Sequence, residues 1–181
     1  MKMKTETDIL IDDLRRQKPA ALGRLFAEHG PTVFRMVQRI VPGREDAEEV
    51  YQDVFVKALR GIMTFDPKKA TLSTWLCRIA YNESLNFVRR RRPNLVYMDD
   101  SKLGIDSFEV QEDAPFDEEI IKQLEKALSL LPPHEQAIIS MFYYEERSLA
   151  DIAYVTGSIP STVGSQLSRI RKKLYRIIKT L

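Results

Sequence analysis

The sequence predicts an all-α chain: two small helical domains joined by an acidic linker, the C-terminal one a helix-turn-helix. Three observations lead there. Apolar residues recur at helical spacing through most of the 181 residues. Charge falls in blocks, with 18 Lys/Arg against 12 Asp/Glu in residues 1–93, 1 against 9 in residues 94–119, and 9 against 5 in residues 120–181. The stretch LADIAYVTGSIPSTVGSQLSRIRKKLYRIIK (149–179) is punctuated as two short helices around a tight turn. Domains at 1–92 and 120–181 with a linker at 93–119 follow. The linker holds Pro93, Gly104 and Pro115 and no sustained apolar stripe.

In chain order, a first helix reads from about Asp8 to Gln17. A second runs from Pro19 to His29 with Leu22, Leu25 and Phe26 inward, and Gly30-Pro31 is expected to break it. Val33, Phe34, Val37, Ile40 and Val41 form a third stripe, closed by Pro42-Gly43. In residues 44–61, Ala47, Val50, Tyr51, Val54, Phe55 and Ala58 make one clean apolar face. The other side gathers Glu45, Glu48, Glu49, Gln52 and Asp53. Two readings fit it: a solvated helix face, or a docking surface for a basic partner with Gln52 as a hydrogen-bonding centre.

A loop with Lys68 and Lys69 follows, then a helix from about Leu72 to Arg91. At about 100° per residue, Leu72, Leu76, Ile79, Ala80 and Phe87 share an apolar arc. Trp75, Arg78, Asn82, Asn86 and Arg89 share an adjoining strip about 80° wide. An aromatic, two amides and two guanidinium groups on one strip can stack on bases, bond their edges and neutralise phosphates, as unpaired DNA requires. Trp75 taken alone is equally well read as a packing residue. Glu83 sits inside the apolar arc and is expected to pair with an arginine of another helix. Four cations at Arg89, Arg90, Arg91 and Arg92 exceed what a helix C-terminus needs, which points to phosphate contact and strong salt dependence.

In the last third, Ser148 with Asp151 three residues on is a helix start signal. Gly157 stands where the backbone must turn sharply, and Ser158 and Pro160 mark a second start. Val163, Leu167, Ile170 and Leu174 form the stripe of the second helix. Ala153, Gly157 and Val163 meet the steric needs of a helix-turn-helix, whose second helix enters a major groove.

The composition narrows the function classes. Cys77 is the one cysteine, so no internal disulfide forms, which suits a reducing cytoplasm. No apolar run approaches the roughly 20 residues of a membrane span, and MKMKTETD lacks a signal-peptide core. His29 and His134 have no partner at metal-ligand spacing, so no metal and no cofactor is expected. No paired-carboxylate motif, glycine-rich phosphate loop or nucleophile–base set argues for an enzyme.

The chain resembles bacterial RNA polymerase sigma factors of the extracytoplasmic-function (ECF) type, over most of residues 10–92 and 122–178. DAEEVYQDVFVKA (46–58) is similar to the family's core-polymerase-binding segment. STWLCRIAYNESLNFVRRRR (73–92) is similar to its melting and minus-ten-reading helix. LSLLPPHEQAIISMFYYEERSLADIA (128–153), with the helix-turn-helix, is similar to its minus-thirty-five-reading domain. The resemblance implies that residues 1–92 are a region 2-like domain and residues 120–181 a region 4-like domain. It implies that Asp46, Glu48, Glu49, Gln52 and Asp53 meet the clamp helices of the largest polymerase subunit, which favours the docking reading. Lys68, Lys69, Trp75, Arg78, Asn82, Asn86, Arg89 and Arg90 would serve the minus-ten element, with Trp75, Asn82 and the loop 66–73 capturing a flipped base. Ser161, Thr162, Ser165, Gln166, Arg169, Arg171 and Lys172 would serve the minus-thirty-five element. Further implied partners are the polymerase flap, promoter DNA and an anti-sigma factor, without membrane insertion. The linker would run toward the RNA exit path.

Three positions depart from the family's pattern. Gly164 and Gln166 stand where basic residues are common in the reading helix. Gln166 can pair with adenine, and Gly164 costs the helix up to ~1 kcal/mol against alanine. Gln136 replaces a common arginine after Leu-Pro, which removes a local salt bridge. A stand-alone helix-turn-helix regulator is the alternative. It leaves the acidic stripe and the Trp/Asn/Arg strip without a task, and no heptad supplies its dimer interface.

Overall fold

The structure, a computed structural model, describes residues 5–91 and 118–181. Arg92 and the linker up to residue 117 lie outside the described residues. Eight α-helices are described: α1 (Glu6–Arg15), α2 (Pro19–Ile40), α3 (Arg44–Gly61), α4 (Leu72–Arg91), α5 (Glu118–Ser129), α6 (Pro133–Tyr143), α7 (Leu149–Thr156) and α8 (Pro160–Thr180). A single 3₁₀ turn, Ile62–Thr64, follows α3. α5 thus begins two residues inside the stretch read as linker.

α1 starts two residues earlier than its apolar spacing suggested, because Thr5 caps it. Thr5 Oγ1 accepts from the Asp8 amide at 3.1 Å, and Asp8 accepts from the Thr5 amide at 2.9 Å. This reciprocal box satisfies two donors that the first turn leaves open. Arg15 then ties α1 to the end of the 3₁₀ turn by donating to the Phe65 carbonyl at 2.7 Å.

The expected break at Gly30-Pro31 does not occur. α2 runs straight through, with Pro31 inside it. Proline removes one helical hydrogen bond and crowds the carbonyl four residues back. That carbonyl belongs to Ala27, an exposed residue, so water can serve it. Gly30 is buried for a different reason: a Cβ built there would lie 2.7 Å from the Tyr51 hydroxyl of α3. The pair that looked like a helix break is instead a close-approach site. Leu22 and Phe26 are also not inward. Ala21 and Leu25 fill the core instead, while Phe26 stays partly exposed with its ring 4.3 Å from that of Phe55.

α3 buries Ala47, Val50, Val54, Phe55 and Ala58 as its spacing predicts. α4 buries two sides rather than one. Leu72, Leu76 and Ala80 face the first domain's core as expected, but Thr74, Cys77, Tyr81, Ser84 and Val88 are buried too, and Ile79 and Phe87 only partly. α7 packs against α4, and α6 against α2. The buried residues of both halves therefore form one continuous core. Glu83 does pair with another helix, but its partner is Lys57 of α3, not an arginine.

In the second half, Gln136 donates to the carbonyl of Leu131 at 2.8 Å. The amide thus takes over chain-end satisfaction at the α5–α6 turn, where no local salt bridge is needed. Glu135 pairs with Lys173 at 3.1 Å, joining α6 to α8.

Gly30→Ala should lower stability by about 1–3 kcal/mol through overpacking against Tyr51. Adding Tyr51→Phe, which removes the clashing oxygen, should restore most of the loss in urea or thermal unfolding. No rescue would mean that Gly30 is needed for backbone freedom instead.

Candidate nucleic-acid and polymerase interface

Three surfaces carry the candidate residues. The first is the outward side of α3. Glu45, Glu48, Glu49, Gln52 and Asp53 are all exposed there, on the side away from Val50 and Val54. Gly43, at φ +98°, sets the entry of this helix. Local pairing divides the carboxylates. Glu48 accepts from Arg44 one turn earlier at 2.9 Å, and the half-buried Asp46 pairs with Arg91 of α4 at 3.3 Å. Among the described residues, no cation stands at ion-pair distance from Glu45, Glu49 or Asp53. The result is an acidic ridge with Gln52 in it, ready to meet a basic partner.

The second surface is α4 with the loop before it. Asn82, Asn86, Arg89 and Arg90 are exposed along the C-terminal half. The N-terminal half is engaged. Trp75 is half-buried, its ring 5.3 Å from that of Phe65 and packed over Gly61. Arg78 stacks on Tyr154 of α7, 4.9 Å from the ring centre. The predicted strip is therefore continuous along the helix, but only its later portion is open to solvent. Lys68 and Lys69 are exposed in the preceding loop, where Asp66 accepts from the Lys68 amide at 3.0 Å and fixes the turn. Arg91 stacks on Phe87, 5.1 Å from the ring centre.

The third surface is the helix-turn-helix. Ser148 accepts from the Asp151 amide at 3.1 Å and caps α7. Gly157 sits at φ +73°, ψ 24°, the left-handed region in which a side chain is strained, and the Ser158 amide closes back on Ala153 at 2.9 Å. Pro160 opens α8, and Ile152, Ala153, Val155, Val163 and Leu167 are buried between the two helices. At 100° per residue, Ser161, Thr162, Ser165, Gln166, Arg169 and Lys172 fall within an arc of about 140°, and Arg171 falls outside it. Arg171 instead reaches the Tyr143 hydroxyl at 3.5 Å. Within the arc, Ser161, Ser165 and Arg169 are exposed and the rest half-buried. The Gln166 carbonyl oxygen is buried without a partner. A methyl at Gly164 would meet only Leu149 Cδ1, at 4.0 Å, so the interior of the domain does not require glycine there.

Residues that the sequence did not single out join the two halves. Arg147 donates to Glu145 at 2.7 Å, to Thr74 and Ser73 at 3.3 Å each, and to the Cys77 sulfur at 3.1 Å. Thr74 also donates to Asp151 at 3.2 Å. Burial pushes the Cys77 thiol up to about 11, against a smaller opposing pull from Arg147. These contacts link positions some 70 residues apart and leave no periodic signature. The available signal was Arg147 itself, a lone cation beside two glutamates. Among the described residues no helix is long and apolar enough to cross a membrane, and no cluster of metal-binding side chains occurs.

Sigma-70 region 2 matches residues 25–93 and Sigma-70, region 4 matches residues 121–174. The chain is 30% identical over 159 residues to the ECF RNA polymerase sigma factor RpoE of Cereibacter sphaeroides, spanning 87% of this chain and 84% of that one. It is 25% identical over 159 residues to the ECF RNA polymerase sigma factor SigW of Bacillus subtilis, spanning 82% and 84%. Its fold is similar to the sigma factor RpoE from Bartonella quintana, solved with the anti-sigma factor NepR, with a TM-score of 0.63 and 23% identity over 87% of this chain and 96% of that one. With a region 2 match over the α3–α4 surfaces and a region 4 match over the helix-turn-helix, this chain belongs to the ECF RNA polymerase sigma factors, the proteins that direct polymerase to promoters.

Proposed function

We propose that α3 docks on the clamp helices of the largest polymerase subunit, that α4 opens and reads the minus-ten element, and that α8 reads the minus-thirty-five element. Residues 1–92 then act as the polymerase-binding and melting domain, residues 93–119 as a tether toward the RNA exit path, and residues 120–181 as the duplex-reading domain on the flap. The observation that carries this is the coexistence of two opposite surfaces in one chain. α3 presents Glu49, Gln52 and Asp53 without counter-ions, and α4 presents Asn82, Asn86, Arg89 and Arg90 to solvent. A DNA-binding module alone has no use for an uncompensated acidic ridge, since it repels phosphate.

Melting needs no bond chemistry. An extruded base stacks on an aromatic or guanidinium face and bonds through its exposed edge, which offsets the few kcal/mol of unpairing. Asn82 and Asn86 supply the edge donors and acceptors, Trp75 the face, and Lys68, Lys69, Arg89 and Arg90 the phosphate contacts. Arg78 joins them once Tyr154 withdraws. In α8, Ser161, Thr162, Ser165, Gln166, Arg169 and Lys172 line the groove side, with Arg171 at its margin. The protein works in the cytoplasm, catalyses no reaction itself and needs no cofactor. An anti-sigma factor, as in the RpoE–NepR complex, is the natural antagonist.

Purified chain added to core polymerase should yield promoter-dependent transcripts. Tight binding to promoter DNA alone, with the polymerase silent on every template, would favour the stand-alone regulator. Reversing charge with Glu49→Lys and Asp53→Lys should weaken polymerase association by roughly tenfold or more, with the helical circular dichroism unchanged; unaltered association would remove α3 from the interface. Trp75→Ala and Asn82→Ala should reduce permanganate reactivity of the minus-ten thymines more than they reduce closed-complex formation. Equal loss of both would make Trp75 structural only.

A further inference from the structure

Between one face of α2 and the loop that joins α6 to α7 lies a cavity of about 460 Å³. That volume falls in the range of about 300–1,000 Å³ over which proteins hold small ligands. Its walls come from distant parts of the chain. Thr32, Arg35 and Arg39 stand three and four residues apart and so share one side of α2. Tyr144, Glu145 and Arg147 supply the facing wall, and Ser73, in the first turn of α4, adds to it. The loop wall is preformed. The Tyr144 and Glu145 amides both donate to the Ser140 carbonyl, at 3.0 and 3.1 Å, and the Arg147 amide donates to the Met141 carbonyl at 2.9 Å. Between them Glu146 takes φ +50°, a left-handed conformation unfavourable to a residue with a side chain and of the kind that clusters at ligand clamps.

What this cavity offers a ligand is donors. Three arginines line it against one carboxylate, which leaves a charge of +2. The carboxylate is already engaged: Glu145 accepts from Arg147 at 2.7 Å through Oε2, and its Oε1 is buried. Among the described residues no carboxylate stands at ion-pair distance from Arg35 or Arg39. Arg39 lies over the Tyr144 ring, 4.7 Å from its centre, which positions the guanidinium without neutralising it. Thr32 Oγ1 accepts from Arg35 at 3.2 Å and Ser73 Oγ from Arg147 at 3.3 Å, so each hydroxyl has its O–H left to donate. Arg35 and Tyr144 are exposed, so the cavity is open to solvent on their side.

A phosphoryl group takes a guanidinium fork on two oxygens and has a third for a hydroxyl. Two uncompensated guanidinium groups and two donating hydroxyls therefore match two phosphoryl groups. We propose that this cavity binds a small molecule carrying a diphosphate, with Arg35 and Arg39 each gripping one phosphoryl group and Thr32 and Ser73 donating to the oxygens that remain. A nucleic-acid strand is the poorer occupant, because its backbone would have to enter a walled concavity. Arg35 and Arg39 belong to none of the surfaces assigned to polymerase or DNA, so the site stands independently of those assignments.

The test is titration calorimetry of the full chain with inorganic pyrophosphate in a low-salt chloride buffer. Wild type should bind one pyrophosphate per chain, saturably, and orthophosphate about tenfold more weakly or worse. Arg35→Gln with Arg39→Gln should weaken pyrophosphate by about tenfold or more, with helix content unchanged by circular dichroism. Thr32→Val, which keeps shape and charge but removes one donor, should weaken it roughly fivefold. Arg16→Gln with Arg60→Gln removes the same net charge from exposed positions elsewhere and should leave the affinity within about twofold of wild type. Adenosine and guanosine diphosphates distinguish the source. Binding at least as tight as pyrophosphate, with the same need for Arg35 and Arg39, makes the occupant a nucleotide, and weaker binding makes it free diphosphate. No saturable binding, equal loss in the two double variants, or equal affinity for orthophosphate would overturn the site. Displacement of pyrophosphate by a short single-stranded oligonucleotide that itself requires Arg35 and Arg39 would also overturn it, since those arginines would then serve a nucleic-acid strand.

Discussion

Everything in this fold is arranged around the burial of α4 on two sides. Leu72, Leu76 and Ala80 close the core of α1, α2 and α3, while Thr74 and Cys77 face the second half. A helix that must accept neighbours on both sides needs small residues where backbones approach, and α4 has Thr74, Cys77, Ala80 and Ser84 in its buried set. The arrangement has a cost: the Ser84 hydroxyl is buried without a partner, about 1–3 kcal/mol unfavourable. What remains for solvent is a narrow band, and that band holds Asn82, Asn86, Arg89 and Arg90. The placement of this exposed Asn/Arg strip follows from where the packing leaves α4 uncovered.

How charges are paired separates structural from available groups. Lys57 and Glu83 join α3 to α4, Asp46 in the first turn of α3 and Arg91 at the end of α4 do the same, and Glu135 and Lys173 join α6 to α8. Glu45, Glu49 and Asp53 have no such role. α3 thus carries two kinds of acid. Asp46 is half-buried and committed to the fold, so its loss weakens the α3–α4 junction as well as any docking. Glu49 and Asp53 are free to change sign with little effect on the fold. The same division runs through the arginine cluster, where Arg91 is held by Phe87 and Asp46 while Arg89 is free to meet phosphate.

The legible part of this protein is what depends on neighbours in sequence. The helices at 44–61 and 72–91, the apolar face of α3, the Ser148 cap, the Gly157 turn and the α8 stripe all follow from spacings of three or four residues, and the structure has them where expected. The illegible part depends on what lies across space. Gly30-Pro31 carries a strong break signal, yet Tyr51 from another helix gives Gly30 its reason and solvent gives Pro31 its tolerance. Trp75 has the composition of a base-stacking group, but its packing on Phe65 and Gly61 cannot be read from a helical wheel. Arg147, 70 residues from Cys77, offered no signal beyond its place beside two glutamates. α4 shows why: two buried sides blur a single-stripe pattern, so the expected arc of Ile79 and Phe87 was partly displaced by Cys77, Tyr81 and Val88.

The second helix of the helix-turn-helix shows a balance between the needs of the fold and the proposed reading of DNA. α8 must bury Val163, Leu167, Ile170 and Leu174 to hold the second domain together, which leaves one face open. On that face the charged residues, Arg169 and Lys172, stand in the second half of the recognition segment, and the first turns offer Ser161, Thr162, Ser165 and a half-buried Gln166. Hydroxyls discriminate bases weakly compared with a bidentate side chain, and Gln166, able to pair with adenine, is the one bidentate group among these first-turn residues. Under the proposed assignment, affinity for the upstream element comes largely from phosphate contacts and from the polymerase that holds both domains on one promoter. Tethering of that kind raises effective concentration without new contacts, provided the two halves can stand far enough apart to bind together. Under the proposed assignment of α4 and α8, the fewer bases α8 reads, the more promoter choice rests on α4 and on the polymerase that holds both surfaces.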